Sequence, residues 1–371
     1  LKTSRILVRE RKLSKKLILT HTVLPKLLGI LIFKQKWPMY IKRNISWKII
    51  LRFAWRNIVF FTLYTAGIFS VYHFLDWKFI DIPFQPLSLI GIAVAFYIGF
   101  KNSQSYDRFW EGRKIWGGIV NYSRTWANQV LSLVNENHET KKVLIYRHIA
   151  WINALRVQLR QPNSFSIKEN ASVERLFKKH GEQNPACTST RNFLSDKEYQ
   201  DLLKRKNPAT HLVKNQGLHL KELLEKDKIT EFDKQLFHGV LEELYNLQGK
   251  CERIKNTPFP RQYAYFSTVF TWIFVLLLPF GLLNVFENEL NEMSHEIKQW
   301  FIFMMIPLSV LVSWIFTTME KVGSNSEDPF EGRINDVPMT ALCKTIEIDL
   351  RDMLDEENLP EKEKPKDNIL Y

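Results

Sequence analysis

The hydrophobic positions of this chain are bunched rather than spread. Four blocks carry them, near residues 49–75, 86–100, 263–286 and 301–319. A helix needs about 20 apolar residues to cross a bilayer, and three of the blocks approach that length. Between the second and third blocks lies a long charged stretch. There, apolar residues recur at spacings of three and four, the period of a half-buried helix. Segments 141–161, 195–206, 208–226 and 230–253 read as helices, and 162–166 and 184–191 as loops. Strand-like alternation is almost absent. The pattern predicts an all-α membrane protein with four crossings and a helical domain outside the bilayer. The expected divisions are a basic amphipathic segment (1–48), two spans (49–104), a helical cytoplasmic domain (105–260), two further spans (261–321) and a C-terminal segment (322–371).

The stretch 86–117, PLSLIGIAVAFYIGFKNSQSYDRFWEGRKIWG, organises the rest. Its first half is apolar apart from Ser88. Its second half turns polar and aromatic at Lys101 with no helix breaker, so one helix is expected to leave the bilayer intact. Ile92, Phe96 and Phe100 recur every four residues and share one stripe of that helix. Gly91, Ala93, Ala95 and Gly99 lie between them and admit close helix neighbours. Fifteen residues cover only about 22 Å, which suits an inner helix shielded from lipid. Asn102, Gln104 and Asp107 would then enter an aqueous mouth. Spacing alone does not separate a pore-lining stripe from a stripe that packs.

Charge sets the orientation. The formal net charge is +13, and residues 1–56 hold fifteen Lys and Arg against one acid, Glu10. A basic end beside the first apolar block is the positive-inside signature. It predicts a multi-pass protein of the plasma or inner membrane with both termini cytoplasmic. A nucleic-acid-binding arm is the rival reading of that end, but no nucleic-acid motif follows it. The segment 287–296 carries four Glu and no Lys or Arg, as expected of an outer loop. Pro279 and Gly281 are expected to kink or end the third span, and 323–332 to form a loop before an amphipathic helix at 339–354. No cleavable signal peptide is expected, because no small-residue cleavage site follows a short apolar core.

The chemistry of catalysis is not legible. There is no GxSxG, HExxH, Walker loop or GxGxxG. His211 and His219 have no acidic partner to complete a metal set. Cys187, Cys251 and Cys343 are odd in number and lack CxxC spacing, so neither a disulfide frame nor a zinc site is expected. The chain is read as no enzyme, with no cofactor and no metal.

Three separated motifs carry a resemblance. They are the stretch 86–117, the segment from Gly249-Lys250-Cys251 to Thr257-Pro258-Phe259-Pro260, and Glu327-Asp328-Pro329-Phe330 with Asn335-Asp336-Val337-Pro338 and Thr345-Ile346-Glu347. Together they resemble the bestrophin family, its bacterial branch in particular, over about residues 45–355. The resemblance implies a homopentameric channel for small monovalent ions, chloride by family name, with monovalent cations as the alternative. A non-conducting membrane scaffold is the reading from another class. The implied partners are the lipid bilayer, copies of the chain itself and the permeant ions, with no nucleic acid. The family's hydrophobic neck falls on Ile92, Phe96 and Phe100, which favours pore over packing. Its cytoplasmic aperture falls on 208–212, with Leu212 as the narrowing side chain. Arg333 stands where eukaryotic relatives need an acid to clasp calcium, a cation that wants a cage of oxygens. Asp328 and Asp336 are therefore expected as caps or salt-bridge partners.

Overall fold

The computed structural model describes residues 47–161, 190–290, 301–332 and 336–365. The expectations for segment 1–46, the loop at 162–166, Cys187 and the acidic residues after 290 lie outside these residues. The described chain is helical: α1 (Trp47–Phe74), α2 (Phe84–Leu133), α3 (His138–Arg160), α4 (Asp196–Leu203), α5 (Pro208–Glu225), α6 (Glu231–Asn256), α7 (Arg261–Leu290), α8 (Met305–Ser326) and α9 (Met339–Asp352). Four stretches are long and apolar enough to cross a membrane: Ala54–Phe74, Lys78–Leu133, Arg261–Asn288 and Ile302–Ser326.

The polar helices begin where side chains replace missing backbone partners. Asn137 accepts from the Thr140 amide, Ser195 from Glu198 and Asn207 from Thr210. Thr230 and Asp233 satisfy each other's amides in a capping box ahead of α6. Each such cap is worth about 1 kcal/mol against alanine. Pro208 at the first turn of α5 loses no hydrogen bond there.

Two hydrophobic cores divide the structure. One joins Phe61 and Phe69 of α1, Val94 and Ile98 of α2, Val275 and Leu283 of α7, and Met305 at the start of α8. The other joins the distal half of α2 to α3, α5, α6 and α9 through Trp126, Trp151, Leu220, Phe237 and Ile346. In this second core His148 lies 2.9 Å from the Ser123 hydroxyl and stacks on Trp126. Burial pushes its imidazole down to about 3, so it is neutral at physiological pH. Burial also raises the Cys251 thiol, which leaves it an inert packing group.

One local expectation is narrowed and one is corrected. Helix α7 does not end near Pro279 but runs through it to Leu290. The Tyr64 hydroxyl donates to the Leu276 carbonyl at 2.8 Å, in the turn that the proline disturbs. Likewise α8 continues through Gly323 to Ser326, so the loop begins only at Glu327.

The C-terminal segment is tied back to α3. Glu356 accepts from Tyr146 Oη at 2.6 Å and from Arg351 Nε at 2.6 Å, and pairs with Lys142 at 3.1 Å. Partial burial works against its charge, but these three donors outweigh that and pull its carboxyl down to about 2. A depressed acid stabilises the fold above its unfolded pKa and loses that contribution as pH falls through the folded value. Glu356→Gln should therefore lower the Tm at pH 6. The gap from wild type should close as pH falls from about 4.5 toward about 2, as read in thermal melts of the detergent-solubilised protein.

Candidate functional site

Helix α2 runs unbroken for 50 residues, about 75 Å at 1.5 Å per residue. One face is buried along its whole length. Leu87, Gly91, Val94, Ile98, Lys101, Ser105, Phe109 and Gly112 follow at spacings of three and four. The membrane half of this face meets α7 and α8. Gly91 lies against the Phe274 ring, where an added Cβ would come within 2.7 Å of it. Gly281 of α7 lies against Leu87 and Phe84, where an added Cβ would force the Leu87 side chain to shift. These two glycines let α2 and α7 approach closely. Gly99, also expected to serve close packing, has nothing within 4 Å.

The predicted stripe points the other way. Ile92, Phe96 and Phe100 are 68%, 78% and 47% exposed in the isolated chain. They do not pack against the rest of their own chain, apart from Phe100, whose ring centre is 6.3 Å from that of Tyr263. The intrachain packing alternative is thereby removed. Below the stripe Asp107 is exposed, whereas Asn102 is half-buried and donates to the Met319 carbonyl at 3.2 Å.

Immediately below Phe100 sits a buried charge cluster that the reading of the sequence passed over. Lys101 Nζ lies 2.9 Å from Glu320 Oε1, 2.7 Å from Ser324 Oγ and 3.5 Å from Glu327 Oε1. The Thr268 and Ser324 hydroxyls also donate to Glu320, at 2.7 and 2.9 Å. Two carboxylates thus share one ammonium out of water. Burial raises the Glu327 carboxyl above its ordinary range against the pull of Lys101. The signal was available in the sequence. Lys101 follows 87, 91, 94 and 98 at the spacing of the inner face, not of the solvent face.

The turn after α8 is held by arginines. Arg108 donates to the carbonyls of Glu327 at 2.9 Å, Ile254 at 3.1 Å and Thr257 at 3.0 Å, joining α2 to the end of α6. It also lies 3.9 Å from Asp328. Asp336 accepts from the Gly332 amide at 2.6 Å and lies 4.0 Å from Arg160. Gly332 has φ +87°, a conformation that suits glycine. Both aspartates are thus salt-bridge partners, and Asp336 also closes the loop on the Gly332 amide; neither caps a described helix. Among the described residues, no group of three His, Cys, Asp or Glu side chains is placed to hold a metal.

Leu212 is corrected. The Asn207 cap and Pro208 set the register of α5 so that Leu212 shares a face with Ala209, Val213, Gln216 and Leu220. That face is the core, and Leu212 is 0% exposed. A side chain enclosed within its own chain is not presented to any passage outside it.

A helical membrane protein with an apolar, uncovered stripe on its longest helix is the class defined so far. The model of the bacterial and fungal bestrophin proteins matches residues 33–352. The chain belongs to that family. It is 26% identical over 326 residues to the voltage-dependent anion channel-forming protein YneE of Escherichia coli K12, covering 88% of this chain and 92% of that one. It is 28% identical over 332 residues to the voltage-dependent anion channel-forming protein RSc3414 of Ralstonia nicotianae, covering 86% and 96%. A crystal structure of a bacterial bestrophin homologue from Klebsiella pneumoniae superposes with a TM-score of 0.67 at 25% identity, covering 81% of this chain and 98% of that one.

The close approach of α2 and α7 is open to test. Gly281→Leu should cost at least about 1–3 kcal/mol through overpacking against Leu87. The expected outcome is a lower yield of monodisperse protein in size-exclusion chromatography, with Gly67→Leu on α1, where an added Cβ meets nothing within 4 Å, close to wild type as the control.

Proposed function

We propose that several copies of this chain surround one pore, and that the uncovered face of α2 lines it. The observation that carries this reading is the contrast between the two faces of α2. One is packed along its length, while the other presents Ile92, Phe96 and Phe100 outward at one-turn intervals. In this reading the three form a hydrophobic neck, and a ring of such side chains gates by dewetting. The family resemblance supports a homopentamer. The names of the relatives support conduction of anions, with small monovalent anions such as chloride as the substrates. The neck itself is uncharged, so ion sign depends on groups outside it.

With four crossings, both ends of the described chain lie on one side. The basic N-terminal segment favours the cytoplasm for that side. The second core then forms a cytoplasmic domain beneath the neck, in line with the divisions 1–48, 49–104, 105–260, 261–321 and 322–371. If that domain narrows the exit, the residue must leave its own subunit. Phe232 at the start of α6 is 80% exposed and meets that requirement where Leu212 does not.

Flux into liposomes, with chloride or potassium as the only permeant ion, tests the reading. The expected result is chloride flux that rises severalfold in Ile92→Ala/Phe96→Ala/Phe100→Ala and does not change in the conservative core variant Leu212→Met. Potassium flux without chloride flux would reverse the proposed sign. Unchanged flux in the triple variant would remove the neck.

A further inference from the structure

We propose that Lys101 is a positioning residue for conduction. Its ammonium, shared by Glu320 and Glu327, holds α2 in the rotation that turns Phe100 outward. The proposal rests on the neck reading above. Phe100 and Lys101 are adjacent and lie about 100° apart around the helix. One is exposed and the other is buried. On the inner face above this level the contacts are Leu87, Gly91, Val94 and Ile98. The hydrophobic effect that favours such contacts is non-directional. Lys101 adds what they lack. It makes two hydrogen bonds and an ion pair to Glu320 and Ser324 of α8 and to Glu327 in the turn beyond it. Thr268 of α7 joins through Glu320. One side chain thus ties α2, α7 and α8 at a single level, one residue from the neck.

The electrostatics give the clamp a distinctive signature. The charged groups around it are Glu320 and Lys321 of α8, Glu327 and Asp328 in the turn, Arg108 of α2 and Arg261 of α7. Arg108 is 3.9 Å from Asp328, and Lys321 turns away to Asn57 of α1 at 3.2 Å. Removing the Lys101 charge leaves Glu320 and Glu327 as neighbouring buried carboxylates without their shared cation. Like charges out of water favour protonation. The resulting disturbance is therefore relieved by acid, which a loss of packing alone would not be.

The test uses the full chain in liposomes, with chloride and then potassium as the only permeant ion. Lys101→Met, of similar length, is expected to raise flux severalfold near pH 7.5 and to return toward wild type near pH 5.5, roughly a unit above ordinary carboxylates. Lys101→Met/Glu327→Gln should show a smaller rise and a weaker pH dependence. Unchanged flux, or a change equal at both pH values, overturns the proposal. Modification of Phe100→Cys by a charged thiol reagent, in a Cys187→Ser background, reads the rotation without flux. Adding Lys101→Met should change its rate, and an equal rate overturns the proposal. Should Lys101→Met not fold, Glu320→Gln takes its place, with a smaller change in the same rate expected and no change overturning the idea. Phe96→Ala run alongside separates the two failures, since unchanged flux there removes the neck while the thiol rates still report on the clamp.

Discussion

A single helix must satisfy two cores at once, and the rest of the structure depends on that constraint. Helix α2 buries one face against α7 and α8 in the membrane layer, then the same face against α6 and α9 beyond it. It can do so because residues at spacings of three and four keep the same azimuth over many turns. Apolar residues and glycines supply that face through Ile98 and again from Phe109. Between them Lys101 and Ser105 keep the spacing but change the chemistry. The junction of the two layers is therefore polar and buried, and there a positive charge requires partners. Glu320 and Glu327 supply them from α8 and the turn that follows.

The helices were largely legible in the sequence because their signals are local. Asn137, Ser195, Asn207 and the Thr230–Asp233 pair stand where caps are needed, and the four apolar blocks are long enough to be seen without any tertiary information. The absence of a breaker at Lys101 was enough to anticipate an unbroken α2. The misreadings came from residues whose meaning is set by a distant neighbour. Pro279 reads as a kink or a break, and packing in the membrane core keeps α7 helical through it. Gly323 reads as a loop residue, although it lies inside α8 against Asn102.

The candidate site divides in the same way. The Ile92, Phe96 and Phe100 stripe follows from period alone, and only the opposite face had to be found to show which way it points. Leu212 was placed by resemblance rather than by period, and its own helix contradicts that placement. Its neighbours at three and four spacing, Ala209 and Gln216, lie inside, as does Val213 beside it. Lys101 was taken as the first residue of a polar half because lysine is rarely buried. Periodicity pointed inward while residue type pointed outward, and the outward reading gave residue type the greater weight; Glu320 and Glu327 show that the period was right.

An unbroken rod also has mechanical consequences. With no proline or bulge along its 50 residues beyond the first turn, α2 has no hinge in which a displacement could be absorbed. A tilt of about 5° about its midpoint carries each end through about 3 Å, a lever set by its length alone. Movement in the layer beyond the membrane therefore reaches the level of Phe96 as geometry, without a relay of side chains. The residues that grip the rod at its fulcrum govern how far it can swing.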